Sequence, residues 1–283
     1  MNHPIDERLE AAYNARAAIP SHPAVFAEWR ERSERTRSRL PGLLDLAYGA
    51  DPSERLDLFP AGADAPLHVF IHGGYWQAMD KADFSFLAEA WHARGVAFAV
   101  LNYGLCPTVT LDDIVAQMRR ALPWLQAHAG ELGLDPARFQ VSGHSAGGHL
   151  AAMLLATDWS HRGGGLSMAP IHSAVSISGL FDLEPLRYTS MNEKVGMDAV
   201  VAQRNSPLGM RPAVDAPLLL AVGEHESADF HAQSDRLEQR WGAYLSQVRR
   251  MNLAACNHLQ AVEELGRAGS DLFCAATGML ANS

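Results

Sequence analysis

The sequence predicts an α/β fold: a mostly parallel sheet of about eight strands with helices on both faces. Three observations carry that expectation. Short runs that are apolar throughout, such as LHVFIHGG, VAFAVLNYG, SAVSISGLF and PLLLAVGE, have the composition of strands buried on both faces. They alternate with longer segments of helical periodicity, which implies parallel crossovers. No repeat, low-complexity tract or linker divides the 283 residues, and a 48% hydrophobic content is ample for one core.

Taken in order, residues 1–42 form a polar, helical N-terminal segment, broken near Pro20 and Pro23. Residues 43–283 are expected to be the α/β domain. LLDLAYG and RLDLFP, separated by ADPSE, read as two strands joined by a turn. LHVFIHGG follows, then a helix near Asp80 to Arg94, the strand VAFAVLNYG, and a helix near Leu111 to Leu132. FQVSGHS runs straight into a helix from Ala146, and SAVSISGLF is the next strand. Residues 184–214 are too long for an ordinary connection, so they are either a small cap over a site or a surface insertion. PLLLAVGE, a helix near Asp229 to Leu245, QVRRMNLAA and a last helix from about Leu259 complete the chain.

Composition excludes several partners. Thirty-two acidic side chains against 23 basic ones give a formal charge of -9, which repels a polyanion and argues against nucleic acid. The arginine-rich run from Arg30 to Arg39 is interleaved with Glu28, Glu31 and Glu34 at helical spacings, the pattern of a solvated helix face. Three cysteines without a C-x-x-C spacing suggest neither a disulfide framework nor a zinc site. No secretory signal and no apolar run of ~18 residues is visible, so the chain reads as soluble and cytoplasmic, with no membrane partner. The 13 histidines include no H-E-x-x-H or similar ligand spacing, and no metal or other cofactor is expected.

In a parallel sheet, ligands bind outside the carboxyl ends of the strands, and four such ends carry reactive groups here. The run FQVSGHSAGGHL contains G-x-S-x-G at Gly143–Gly147, placing Ser145 on a sharp turn between strand and helix. A serine hydroxyl needs a base to take its proton and an anion to orient that base. His258 opens the last helical segment just after the strand MNLAA, in the chain order serine, acid, histidine. For the acid, EHESADF follows PLLLAVG: Glu224 is too close to the strand, Asp229 is expected to cap the next helix, and Glu226 has the fitting position. Asp182, after the preceding strand, is the competing acid. The fourth end, HVFIHGGYW, offers backbone donors. Gly73 and Gly74, with Ala146 after the serine, are the candidate oxyanion hole, where one N–H can lower an acyl-transfer barrier by about 3–4 kcal/mol.

With those residues named, the chain resembles the α/β-hydrolase fold. Within it, HGGYW at His72–Trp76, GHSAGG at Gly143–Gly148 and the pair Asn257-His258 resemble the arylformamidase (kynurenine formamidase) group of serine hydrolases, and more distantly the hormone-sensitive-lipase-like esterases. The resemblance runs from about Leu43 to the C-terminus. It implies oxyanion-hole glycines at Gly73 and Gly74, and an acid that is usually Asp where this chain has Glu226. The esterases' third glycine is replaced by Tyr75. The implied activity is hydrolysis of a small acyl ester or an N-formyl arylamide through an acyl-enzyme. A short-chain carboxylesterase without formamidase activity is the alternative, and a non-catalytic binding protein of the same fold is the more distant rival. A one-carbon acyl group would leave the aromatic leaving group to Tyr75 and Trp76, with Phe181 or Tyr188 as further walls, and His144 is a third substrate-binding candidate. The N-terminal helices, which carry Phe26 and Trp29, are candidates to cover the pocket, to pack on the core or to pair two subunits into a homodimer.

Overall fold

The expected alternation resolves into one eight-stranded sheet, seen in a computed structural model that describes residues 4–160 and 171–281. Its strands are β1 (Leu43–Ala47), β2 (Arg55–Phe59), β3 (Ala65–Ile71), β4 (Ala97–Leu101), β5 (Leu134–His144), β6 (Ser173–Ile177), β7 (Leu218–Gly223) and β8 (Val248–Leu253). They lie in the order β1-β2-β4-β3-β5-β6-β7-β8. The first two pairings, β1 with β2 and β2 with β4, are antiparallel, and the rest are parallel. Every residue of β4, β6 and β7 is buried, which is why these strands read as unbroken apolar runs. The register pairs Ile71 with Gly143, His144 with Ile177, Ile177 with Ala221 and Gly223 with Leu253. The carboxyl ends of β3, β5, β6, β7 and β8 therefore line up along one edge.

The helices are α1 (Glu7–Tyr13), α2 (Ala15–Ala18), α3 (His22–Arg39), α4 (Ala88–His92), α5 (Leu111–Ala127), α6 (Ala129–Leu132), α7 (Ala146–Leu155), α8 (Asn192–Val195), α9 (Ala199–Arg204), α10 (Ala228–Trp241), α11 (His258–Glu263) and α12 (Asp271–Ala281). Several expected helices are subdivided. The one near Asp80 to Arg94 is a 3-10 turn, Lys81–Leu87, running into α4; Asp80 and Asp83 cap each other's backbone at its start. The 111–132 helix breaks at His128, and Gly133, with φ 70°, ends its second piece. Asp229 does not cap α10: Ser227 accepts from the Phe230 N–H, and Asp229 instead pairs with Arg8 at 3.2 Å. Residues 184–214 hold α8, α9 and two 3-10 turns.

The N-terminal segment is fastened to the sheet layers at many points. The Ser227 hydroxyl donates to the Ala12 carbonyl at 2.7 Å, Gln233 donates to the Tyr13 hydroxyl at 2.9 Å, and the Asp6 N–H donates to the Tyr188 carbonyl at 2.8 Å. Trp29 of α3 is fully buried against Phe84 and Phe86, at ring separations of 5.5 and 5.8 Å, and its indole N–H donates to Glu263 at 2.6 Å. Beneath it Lys81 Nζ lies 2.8 Å from the buried Asp57 and 2.7 Å from Asp45.

Candidate active site

Ser145 sits between the end of β5 and the start of α7 with φ 55° and ψ -117°. A non-glycine residue in that region carries strain of about 1–3 kcal/mol, so the surroundings must hold it there. Its N–H donates to the Ile177 carbonyl at 2.8 Å, and its carbonyl accepts from His149 at 3.1 Å. Behind the turn, a Cβ on Gly147 would lie 1.9 Å from the Ile71 carbonyl oxygen, so only glycine lets α7 approach β3 so closely.

His258 opens α11, directly after Asn257, whose side chain caps the helix through the N–H groups of Leu259 and Gln260. The His258 Nδ1 lies 2.6 Å from Glu226 Oε2. An ionised carboxylate only accepts, so Nδ1 carries the proton and Nε2 is left as an acceptor. Glu226 Oε1 accepts from the Gly223 N–H at 2.7 Å and from the Ser178 hydroxyl at 2.5 Å. Burial pushes the Glu226 carboxyl up, but its neighbours outweigh burial: His258 foremost, then Ser178 and Gly223. The net effect holds it below the usual carboxylate range. Asp182, the competing acid, is turned elsewhere and pairs with Arg236 at 2.9 Å.

His144 packs against His258 with ring centroids 4.5 Å apart and the rings tilted by 46°. Its Nε2 donates to the His258 carbonyl at 2.9 Å, which fixes the backbone that presents the second histidine. Burial, and then the proximity of His258, keep His144 well below the ordinary histidine range, so it is neutral near pH 7.

The loop after β3 comes within contact of the serine. A Cβ on Gly73 would lie 2.8 Å from the His144 carbonyl oxygen and 3.2 Å from the Ser145 Cβ, so a side chain there would collide with the turn. The His72 ring anchors the loop, with Nδ1 donating to the Gly73 carbonyl at 2.8 Å. Ala146 is fully buried as the first residue of α7, where backbone N–H groups have no intrahelical partner. Tyr75 and Trp76 both have positive φ, 51° and 57°. That double turn sends them different ways. Tyr75 faces the pocket and donates its hydroxyl to the Tyr13 carbonyl, whereas Trp76 points into the core, edge-on to His149 with ring centroids 5.1 Å apart. Trp76 is therefore packing here rather than a pocket wall, and neither Phe181 nor Tyr188 reaches the lining.

The pocket over Ser145 spans about 400 Å³ including its mouth. Gly73, Gly74, Tyr75, His144, Ser145 and His258 line its floor, Met79, Phe84 and Leu259 its sides, and Ala15, Arg16, Phe26 and Trp29 its roof. No residue of 184–214 lines it; the covering segment is N-terminal. Met79 and Leu259 had a sequence signal, being three residues after Trp76 and next to His258. Arg16 and Ala15 had none, because the fold-over of α2 is written in no local pattern. Among the described residues, no group of three or more His, Cys, Asp or Glu could hold a metal ion, and no helix is long and apolar enough to cross a membrane.

A strained serine turn, a histidine braced by a carboxylate and a glycine loop against the serine share one edge of the sheet. Residues 57–240 match the BD-FAE family. The chain belongs to the BD-FAE family of α/β-hydrolases. It is similar to the kynurenine formamidase of Salmo salar, with 35% identity over 77% of this chain and 73% of the relative, and to that of Danio rerio, with 32% identity over 82% and 80%. A crystal structure of a Silicibacter sp. TM1040 protein, assigned as a thioesterase, superposes with a TM-score of 0.83 at 35% identity, covering 95% of this chain and 98% of the other. This BD-FAE member is a hydrolase.

Proposed function

We propose that this enzyme hydrolyses N-formyl arylamides of the N-formylkynurenine type through a Ser145–His258–Glu226 triad. Residues 43–283 serve as the hydrolase domain, with α2 and α3 of the N-terminal segment as its roof. His258 Nε2 takes the Ser145 proton as Oγ attacks the formyl carbon. The resulting oxyanion is met by backbone N–H groups of the Gly73-Gly74 loop and of Ala146. Collapse expels the arylamine, which takes the proton from His258. Water, deprotonated by the same histidine, then releases formate and restores the serine.

The observation that carries this reading is the His258–Glu226 bond beside a serine held on a strained turn, since it leaves Nε2 as the acceptor. The leaving group is argued from the walls. Tyr75, Phe26, Trp29 and Phe84 line the pocket that holds the serine, and aromatic walls suit an aryl amine. Similarity to kynurenine formamidases at 35% and 32% identity supports the same choice. A short-chain ester would use the same machinery, so relative rates test the proposal. With N-formyl-L-kynurenine, kcat/KM is expected to exceed that with p-nitrophenyl acetate and butyrate. A preference for the esters by several orders of magnitude overturns the formamide assignment.

A further inference from the structure

Arg16 stands out in the roof of the pocket. It projects from α2, is half-buried, and lies 5.6 Å from the centre of the Phe26 ring. Among the described residues its guanidinium has no carboxylate partner, and the pocket lining contains no Asp or Glu. That isolation is unusual in a chain with 32 acidic side chains against 23 basic ones. Glu10 of the preceding helix and Glu226 of the site are engaged elsewhere. Glu10 accepts from the Ser190 N–H and hydroxyl, both at 2.7 Å, and from Asn14 at 2.7 Å, while Glu226 is held by His258, Ser178 and Gly223. The helix carrying Arg16 is also fixed, since Asn14 caps α2 through the Ala17 N–H at 3.1 Å. Burial takes hydration from the guanidinium, and among the described residues no carboxylate replaces it.

We propose that Arg16 forms an anion subsite of the catalytic pocket, selecting aryl substrates that carry a carboxylate away from the bond to be cleaved. The proposal rests on the reading of Ser145 as nucleophile of an acyl transfer and adds the chemistry of the far end of the substrate. The other walls are aromatic or apolar and the histidine beside the base is neutral, so Arg16 supplies the fixed positive charge. A planar guanidinium held over an aromatic ring offers a fork of N–H donors that matches a carboxylate. A neutral substrate leaves that fork unmatched.

The test compares each carboxylated substrate with its neutral counterpart in wild type, Arg16→Met and Arg16→Lys. One pair is N-formyl-L-kynurenine and the same formanilide without the carboxylate; the other is 4-acetoxybenzoate and phenyl acetate. In Arg16→Met the ratio of kcat/KM, carboxylated over neutral, is expected to fall about 10- to 100-fold, mostly through KM, which is the loss of a charge-assisted pair. Arg16→Lys should keep more of the ratio than Arg16→Met. A ratio unchanged in both pairs overturns the subsite, even if absolute rates fall because the roof is disturbed. Failure of the formamidase reading has a different signature: wild type turns over neither formanilide, and the acetate pair still decides the role of Arg16. Calorimetric binding of L-kynurenine, which needs no turnover, should weaken by a similar factor in Arg16→Met; equal binding counts against the subsite.

Discussion

The Nδ1 of His258 lies 2.6 Å from Oε2 of Glu226, and this bond leaves Nε2 as the accepting nitrogen of the ring. A glutamine at position 226 would keep the shape but could accept or donate, so the wrong tautomer becomes available. Glu226→Gln is expected to lower kcat by about 10⁴-fold, the loss typical of an orienting carboxylate made neutral. Glu226→Asp keeps the charge with a side chain one methylene shorter and should lose much less. Steady-state kinetics on both variants checks this; equal, small losses would show that the carboxylate does not orient the base.

Four buried histidines make stability depend on pH. Desolvation is the leading cause at each: it lowers His68 to about 3 and His149 to about 4, and it pulls His72 and His144 below their ordinary 6.5. These groups are neutral in the native state but take protons once unfolded. Their contribution is thus fully present above pH 6.5 and is lost as pH falls toward the folded values. Each adds a slope of about 1.4 kcal/mol per pH unit across its window. Urea unfolding from pH 7 to 4.5 should show steadily falling stability, and a flat profile would contradict the burial of these rings.

The Lys81–Asp57 pair is expected to matter more for folding than surface ion pairs do. Asp57 is 1% exposed, so removing its ammonium partner leaves a charge in the core. Lys81→Met should destabilise by about 3–5 kcal/mol, and adding Asp57→Asn should restore part of the loss. Denaturant titration of the single and double variants measures both effects.

Gly147→Ala probes the fit of the serine turn. The added methyl would meet a backbone carbonyl 1.9 Å away, which cannot swing aside like a side chain. The cost is expected at or above the upper end of the about 1–3 kcal/mol usual for overpacking, with activity falling alongside as the turn shifts. Thermal denaturation and ester hydrolysis read the two effects separately.

The sheet and the residues along its edge were legible because both are local patterns. Apolar runs mark buried strands, and Glu226 follows Gly223 by three residues, a spacing closed in the structure by the Glu226 N–H on the Gly223 carbonyl at 3.1 Å. The roof was legible only as one of three roles for the N-terminal helices, with Phe26 and Trp29 named, and its contacts were not. Its attachments join residues far apart in the chain, as in Ala12 with Ser227 and Tyr13 with Gln233. α3 also buries Ser33 and Thr36 beside Trp29, so it lacks the apolar stripe that announces a packed helix. Trp76 shows the limit of a motif: it adjoins Tyr75, yet two successive positive φ values turn it into the core.

The role of Ser145 is tested most directly by covalent labelling. Incubation with a fluorophosphonate, followed by intact-mass and peptide mass spectrometry, should add one label per chain, on Ser145. The label should be absent from Ser145→Ala and much slower to form in His258→Ala. A label on another residue, or a wild-type chain that stays unmodified while it hydrolyses substrate, would contradict a serine nucleophile at the β5–α7 turn.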